Sequence, residues 1–383
     1  MDQKYLRIII LPLLLVCLTG TAGAEPGNGN AAVLDYTEGG HYDTDFDADF
    51  MSEWWYQNGD MRLVGEDGEK KNLAFFIVLV HQESPTIFYD SENGTQLSNL
   101  ATFYGVYPYE EATSHNYTLT FVPRNEIENY IGFHVPYLDF NYPEGLRKFY
   151  GSALEGYRLD YAYDNMQLNL FFKPRIEKTI DSAAEPVNFT TYEYAYGKLE
   201  GSVVLDGKRY KITQADGYFD HMTPYTNNQP VWEMEMHGWS WSELTTDSYQ
   251  TVFYGVRGPE DGYDDYTYKH LTLINKHTGK VIAEYSGDEV SINQGDSEVV
   301  TVNGHNVERP ASVQISAPDL NISINAQSVV QLDKSSLPGG EPLGFVDFMS
   351  FQPDEATIEY QGDFEQGSAF YEYMISDWVI YSP

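Results

Sequence analysis

Beyond its first 24 residues, wherever this chain is apolar, it is apolar briefly and by alternation. Runs such as Leu73 to Val80, Tyr117 to Val122, Met166 to Phe172, Tyr192 to Tyr196 and Ser312 to Ile315 are short and end at clusters of Gly, Pro, Asn and Asp. A period of two sends successive side chains to opposite faces of a strand, and no stretch holds a helical period for more than a few turns. Three pairs of runs flank chain-reversing dipeptides, Asp67-Gly68, Asp206-Gly207 and Thr278-Gly279, as hairpins require. The 32 tyrosines suit half-buried strands whose hydroxyls reach water or a polar cavity. The expected fold is therefore all-β and antiparallel, closed or nearly closed into barrels that leave no long edge exposed. Of 383 residues, the 359 that follow residue 24 exceed what one barrel uses, so two domains are expected. The boundary is placed at the acidic loop Gly258-Pro259-Glu260-Asp261-Gly262-Tyr263-Asp264-Asp265, dividing the chain into 25–258 and 259–383.

Residues 1–24 are expected to be a signal peptide. Lys4 and Arg7 precede the apolar run Ile8 to Leu18, and Ala22-Gly23-Ala24 is a small-residue cleavage site, too short and wrongly flanked for a spanning helix. The mature protein is then secreted or held in the cell envelope, with no integral membrane segment. Its single cysteine, Cys17, falls in the removed part, behind a Val16 that does not suit a lipoprotein signal. Without thiols the fold must rest on core burial rather than disulfides, and thiolate metal sites and cysteine nucleophiles are excluded. A formal charge of −36 repels nucleic acid and anionic membrane surfaces and fits a solvated extracellular surface. The run Asp43-Thr44-Asp45-Phe46-Asp47-Ala48-Asp49 lines aspartates on one face of an extended strand, yet Ala48 and Trp54 stand where a calcium loop needs Gly and Glu, so no metal site is assigned. Sequons at Asn93, Asn116, Asn188 and Asn321 could carry glycans.

Two aromatic patches surround titratable groups. In Glu53-Trp54-Trp55-Tyr56, Trp54 and Tyr56 point opposite to Glu53 and Trp55 if the segment is a strand. A carboxylate beside two indoles is an awkward choice for plain packing, because burial without a partner raises its pKa. The second patch runs from Tyr218-Phe219-Asp220-His221 to Trp232-Glu233-Met234-Glu235-Met236-His237-Gly238-Trp239-Ser240-Trp241. Read as an unbroken strand, it puts His237, Trp239 and Trp241 on one face with the glutamates. A bulge at Gly238 would instead part His237 from both indoles. Asp220 and His221 can serve one site only at a strand end, which Met222-Thr223-Pro224-Tyr225-Thr226-Asn227-Asn228 resembles as a loop. In a poorly hydrated aromatic pocket Asp220 would stay protonated and act as an acid. An alkene that takes its proton becomes a carbocation, which indole and phenol faces stabilise. No Gly-x-Ser-x-Gly, His-Glu-x-x-His, phosphate loop or dinucleotide fingerprint occurs. A glycosidase pair at Glu233 and Glu235 would stand only about 7 Å apart on one strand.

On Glu53-Trp54-Trp55-Tyr56, Phe219-Asp220-His221, Trp239-x-Trp241 and Val252-Phe253-Tyr254-Gly255-Val256-Arg257, with a weaker C-terminal echo at Tyr360-Gln361-Gly362, Gly367 and Tyr371-Glu372-Tyr373, the chain resembles a known family. This is the group of secreted lipocalin-like proteins that includes hydroxyneurosporene synthases, the carotenoid 1,2-hydratases. The resemblance spans nearly all of the chain after residue 24 and implies two lipocalin-like (calycin) β-barrel domains. It implies hydration, cyclisation or isomerisation of an apolar small molecule without metal or organic cofactor. It also points to Asp220, His221, Trp239 and Tyr254 as pocket residues, to which the reading of the strands adds His237, Glu53, Trp54, Trp55, Tyr56 and Trp241. The alternatives are a secreted carrier of a hydrophobic ligand, or a surface-associated β-protein with no pocket.

Overall fold

The computed structural model describes residues 38–41 and 50–376, apart from 86, 92, 110–113, 143–146, 177, 184–188, 228–236, 259–264, 303 and 334–344. The expected signal segment, the aspartates at 43–49 and the stretch 232–236 with Glu233 and Glu235 lie outside these residues. The rest is almost wholly strand, every strand pairing being antiparallel, in one twelve-stranded sheet, one ten-stranded sheet and a two-stranded ribbon. All three expected hairpins form. Asp206 and Gly207, with φ of 51° and 77°, join Phe189–Leu205 to Lys208–Asn227, the pair of positive φ values a two-residue turn between twisted strands demands.

Long strands buried on both faces set the architecture. Along Phe50–Gly65, the side chains of Met51, Trp55, Met61 and Leu63 enter one apolar cluster inside the curl of the first sheet. Phe50, Trp54 and Tyr56 enter a different cluster. The adjoining strand Lys70–Glu83 divides likewise, Phe75, Ile77 and Leu79 inward and Ala74, Phe76 and Val80 outward. The outward cluster is a seam shared with the second sheet, which contributes Trp241, Val252, Met349, Phe370 and Met374. A third cluster, with Phe253, Ile322 and Tyr371, fills the second sheet's own curl. Two barrel-like cores and one seam between them thus replace the simple inside and outside of a single sheet. Polar ties cross the seam, among them the Tyr107 hydroxyl to the Met349 carbonyl at 2.8 Å and the Ser368 hydroxyl to Asp60 at 2.9 Å.

The change of sheet falls between Asn227 and Gly238, ahead of the boundary expected after residue 258. Gly238–Thr245 and Tyr249–Arg257 pair inside the second sheet, and the acidic loop joins Tyr249–Arg257 to its own neighbour Tyr268–Asn275. Turn-rich composition marks a loop, but it does not say whether the strands on either side pair with each other.

The strand after this change starts on an irregularity. The His237 amide donates to the Arg257 carbonyl while Gly238 also stands opposite Arg257, so two residues face one, as in a bulge. Gly238 has φ +151°, and a Cβ there would collide with the Met374 carbonyl oxygen. Gly238→Ala is expected to lower folding stability by about 1–3 kcal/mol, measured by denaturant unfolding; an unchanged midpoint would mean that the backbone relaxes freely at this position.

Candidate active site at the seam

Asp220 sits mid-strand in Lys208–Asn227, opposite Tyr56 on one side and Glu193 on the other. The segment 222–227, expected as a loop, continues the strand. Alternation therefore separates Asp220 from His221: Asp220 faces the seam, and His221 faces the interior of the first sheet with Glu53 and Trp55. The expectation that Asp220 and His221 share a site is corrected on this ground, and Glu53 and Trp55 leave the pocket with His221. His237 is half-buried at the bulge and does not line the cavity. Trp54, Tyr56, Trp239, Trp241 and Tyr254 do converge with Asp220 on one cavity of about 110 Å³. A water takes roughly 10–15 Å³ by this measure, so the cavity admits one end of an apolar chain.

Asp220 is 4 % exposed. Its Oδ2 accepts hydrogen bonds from the hydroxyls of Tyr218 at 2.8 Å and Tyr254 at 3.3 Å, and these two hydroxyls lie 3.1 Å apart. Burial pushes its carboxyl up to about 8, with the Glu372 carboxylate adding to the rise and the two tyrosines opposing it. At neutral pH the group is a protonated acid in an apolar recess. Around it, Trp241 meets Tyr56 and Tyr218 edge-on at centroid distances of 5.4 and 5.2 Å, and Trp54 lies 6.2 Å from Trp239. Aromatic rings carry negative quadrupole potential on their faces, and rings make up much of this cavity's wall.

Across the cavity stand Glu372 and Asp347, on the paired strands Asp363–Ser376 and Phe345–Tyr360. The Trp239 indole donates to Glu372 Oε1 at 2.6 Å, and burial raises the Glu372 carboxyl to about 7. Behind Asp220 a second carboxyl series leads away. Glu193, opposite Asp220 in the ladder and raised well above its ordinary value by burial and by Asp181, is followed by Asp181 and then His270, which pairs with Asp181 near the surface. The Tyr268 hydroxyl donates to Asp181 at 2.7 Å. Glu372, Asp347, Glu193, Asp181 and Tyr218 were not among the candidates from sequence. Glu372, Asp347 and Glu193 each interrupt an apolar or tyrosine-rich strand, as in Phe345-Val346-Asp347-Phe348 and Tyr192-Glu193-Tyr194, whereas Asp181 in Thr179-Ile180-Asp181-Ser182-Ala183 does not. That same oddity singled out Glu53 and could have found those three.

A second recess of about 130 Å³, lined by Asp60, Asp216, Glu243 and Lys276, opens elsewhere on the seam. Its lining mixes charged groups with Phe351 and Phe370; Lys276 pairs with Asp216 at 3.0 Å and Tyr109 donates to Asp60. On the far face of the first sheet, His41, Glu53 and His221 bring one donor atom each into a group that could hold a metal ion.

The proton on Asp220 makes stability depend on pH. With a folded pKa above the unfolded one, its contribution is fully present below the ordinary aspartate value and is lost as pH rises through about 8. His221 acts oppositely, since burial lowers its pKa, so the clean measure is a difference. The stability advantage of the parent over Asp220→Asn is expected to shrink continuously between about pH 4 and pH 8, followed by denaturant unfolding. An advantage that grows over this range would show Asp220 to be ionised.

No family model and no curated protein matches the chain. Solved structures do. An AttH candidate from Nitrosomonas europaea superposes with TM-score 0.64 at 16% identity, covering 92% of this chain and 98% of that one. Kievitone hydratase from Nectria haematococca gives 0.55 at 11% identity, over 85% and 90% of the two chains. CghA bound to Sch210972 gives 0.55 at 11%, over 89% and 95%. At such identities the likeness is one of fold, and it bears out the lipocalin-like all-β architecture expected from the sequence.

Proposed function

We propose that this protein takes the alkene end of an apolar, polyene-type molecule into the seam cavity and hydrates it by cofactor-free acid catalysis. One observation carries the reading: the buried carboxyl of Asp220 is held by two tyrosine hydroxyls at the wall of an aromatic cavity. Asp220 gives its proton to an alkene carbon, forming a C–H bond and leaving a cation on the neighbouring carbon. Trp54, Trp239, Trp241 and Tyr254 stabilise that cation through their ring faces. A water adds through its oxygen, and its surplus proton passes to Glu372, whose pKa of about 7 suits acceptance near neutrality. Glu193, Asp181 and His270 offer a route by which Asp220 regains a proton. Loss of a different proton from the same cation gives isomerisation, and capture by a second double bond gives cyclisation. The shared fold with a protein named a hydratase supports the class, and the sequence resemblance supports a carotenoid-like substrate. Export across the cytoplasmic membrane, expected from residues 1–24, belongs to the same proposal.

The test is to incubate the purified chain with a total lipid extract of its host and identify by native mass spectrometry what stays bound. A retained apolar molecule gaining the mass of one water supports hydration. Retention without any change of mass or structure points to a carrier, and no retention removes the ligand altogether.

A further inference from the structure

We infer that His41, Glu53 and His221 form a binding site for a divalent transition metal of the zinc class, on the face of the first sheet turned away from the cavity. His41 Nδ1 and His221 Nε2 approach the same oxygen, Glu53 Oε1, at 2.7 and 2.8 Å, and all three donor atoms lie within 4.8 Å of one another. Metal–nitrogen and metal–oxygen bonds of about 2.1 Å in tetrahedral geometry put neighbouring donors about 3.4 Å apart. The contacts to Glu53 thus need to open by about 0.7 and 0.6 Å to admit an ion, and the two imidazole nitrogens to close by at most about 1.4 Å. The supports that keep metal ligands oriented are already in place. His221 stacks on Trp55 with ring centroids 4.8 Å apart and planes 20° from parallel, and the His41 amide donates to Glu53 Oε2 at 3.1 Å.

Charge argues the same way. Glu53 is fully buried with both imidazoles on one of its oxygens, and a dication there would offset the cost of burying a carboxylate. Two imidazole nitrogens and one carboxylate suit zinc, iron(II) or cobalt(II), whereas calcium and magnesium call for oxygen ligands. The three residues come from the segment 38–41, the strand Phe50–Gly65 and the strand Lys208–Asn227. An ion here would fasten that segment to the two central strands of the first sheet and take no part in chemistry at the seam.

The test uses the full chain, stripped with a chelator and titrated with Zn²⁺ against a chromophoric competitor, and with Co²⁺ while its visible absorption and the tryptophan fluorescence are followed. One tight equivalent is expected, with Co²⁺ quenching the fluorescence of the stacked Trp55. Because a charge of −36 will gather weakly held cations anywhere, the variants decide. His41→Ala and Glu53→Gln should each weaken the tight equivalent on the order of 100-fold or more. Should Glu53→Gln unfold, His41→Ala carries the comparison, its side chain lying at the edge of the site, with folding checked by circular dichroism. The inference is overturned if no tight equivalent exists, or if it survives His41→Ala undiminished, since surface carboxylates would then be holding the ion.

Discussion

Asp220→Asn is expected to cut turnover by about 10²–10⁴-fold, the usual contribution of a positioned acid, while the ligand stays bound. Asparagine matches aspartate in shape, and its amide oxygen can accept the hydroxyls that now reach Oδ2 from Tyr218 and Tyr254. What it lacks is a proton to give. The parent should also lose activity as pH rises through about 8, where Asp220 ionises, and the residual activity of the variant should not show that limb. Single-turnover rates against pH, beside ligand retention by native mass spectrometry, read both quantities. Equal rates in parent and variant would mean that the proton comes from another group, with Glu372 across the cavity the first to test.

The second large effect contrasts two neighbours. Trp55→Ala is expected to destabilise the fold by about 3–5 kcal/mol, as truncation of a large core aromatic does, with little direct effect on ligand affinity. Trp55 is 0 % exposed, packs on Phe140 and His221, and donates its indole N–H to the Glu38 carbonyl at 3.2 Å. Trp54→Ala should do the reverse: its ring is half-buried at the cavity wall beside Trp239, so binding suffers more than stability. Denaturant unfolding and ligand titration on both variants separate the roles. If both lost stability alike and neither lost affinity, the assignment of faces would be wrong.

Strand alternation alone turns Trp54 and Tyr56 away from Glu53 and Trp55, but it does not say which pair meets a cavity, and all four were expected in the pocket. The strands, the three hairpins and the all-β class were legible for the same local reason. Pairing across the seam was not. Nothing in the sequence near Tyr254 says that its hydroxyl meets Tyr218 and Asp220, and nothing near Glu372 says that it faces Asp220 across a cavity. These are contacts between sheets, fixed by how two curls dock. The same blindness read Met222 to Asn228 as a loop, whereas Pro224 and Asn227 lie within a continuing strand. His221 drew attention beside Asp220 for its chemistry, yet it sits in a separate neighbourhood with His41 and Glu53.

The seam has a consequence for how faults spread through this molecule. Asp220 and Tyr218 belong to the first sheet, while Tyr254, Trp239 and Glu372 belong to the second, so the cavity works like a lock that needs two keys. Either half alone would hold only part of its lining. Changes far from the ligand, such as loss of the Tyr107 hydroxyl that ties to Met349, can thus damage kinetics by letting the halves drift without touching a reacting group. Screens for impaired variants should therefore recover seam positions as often as pocket positions, and a second-site change that tightens the joint should rescue them.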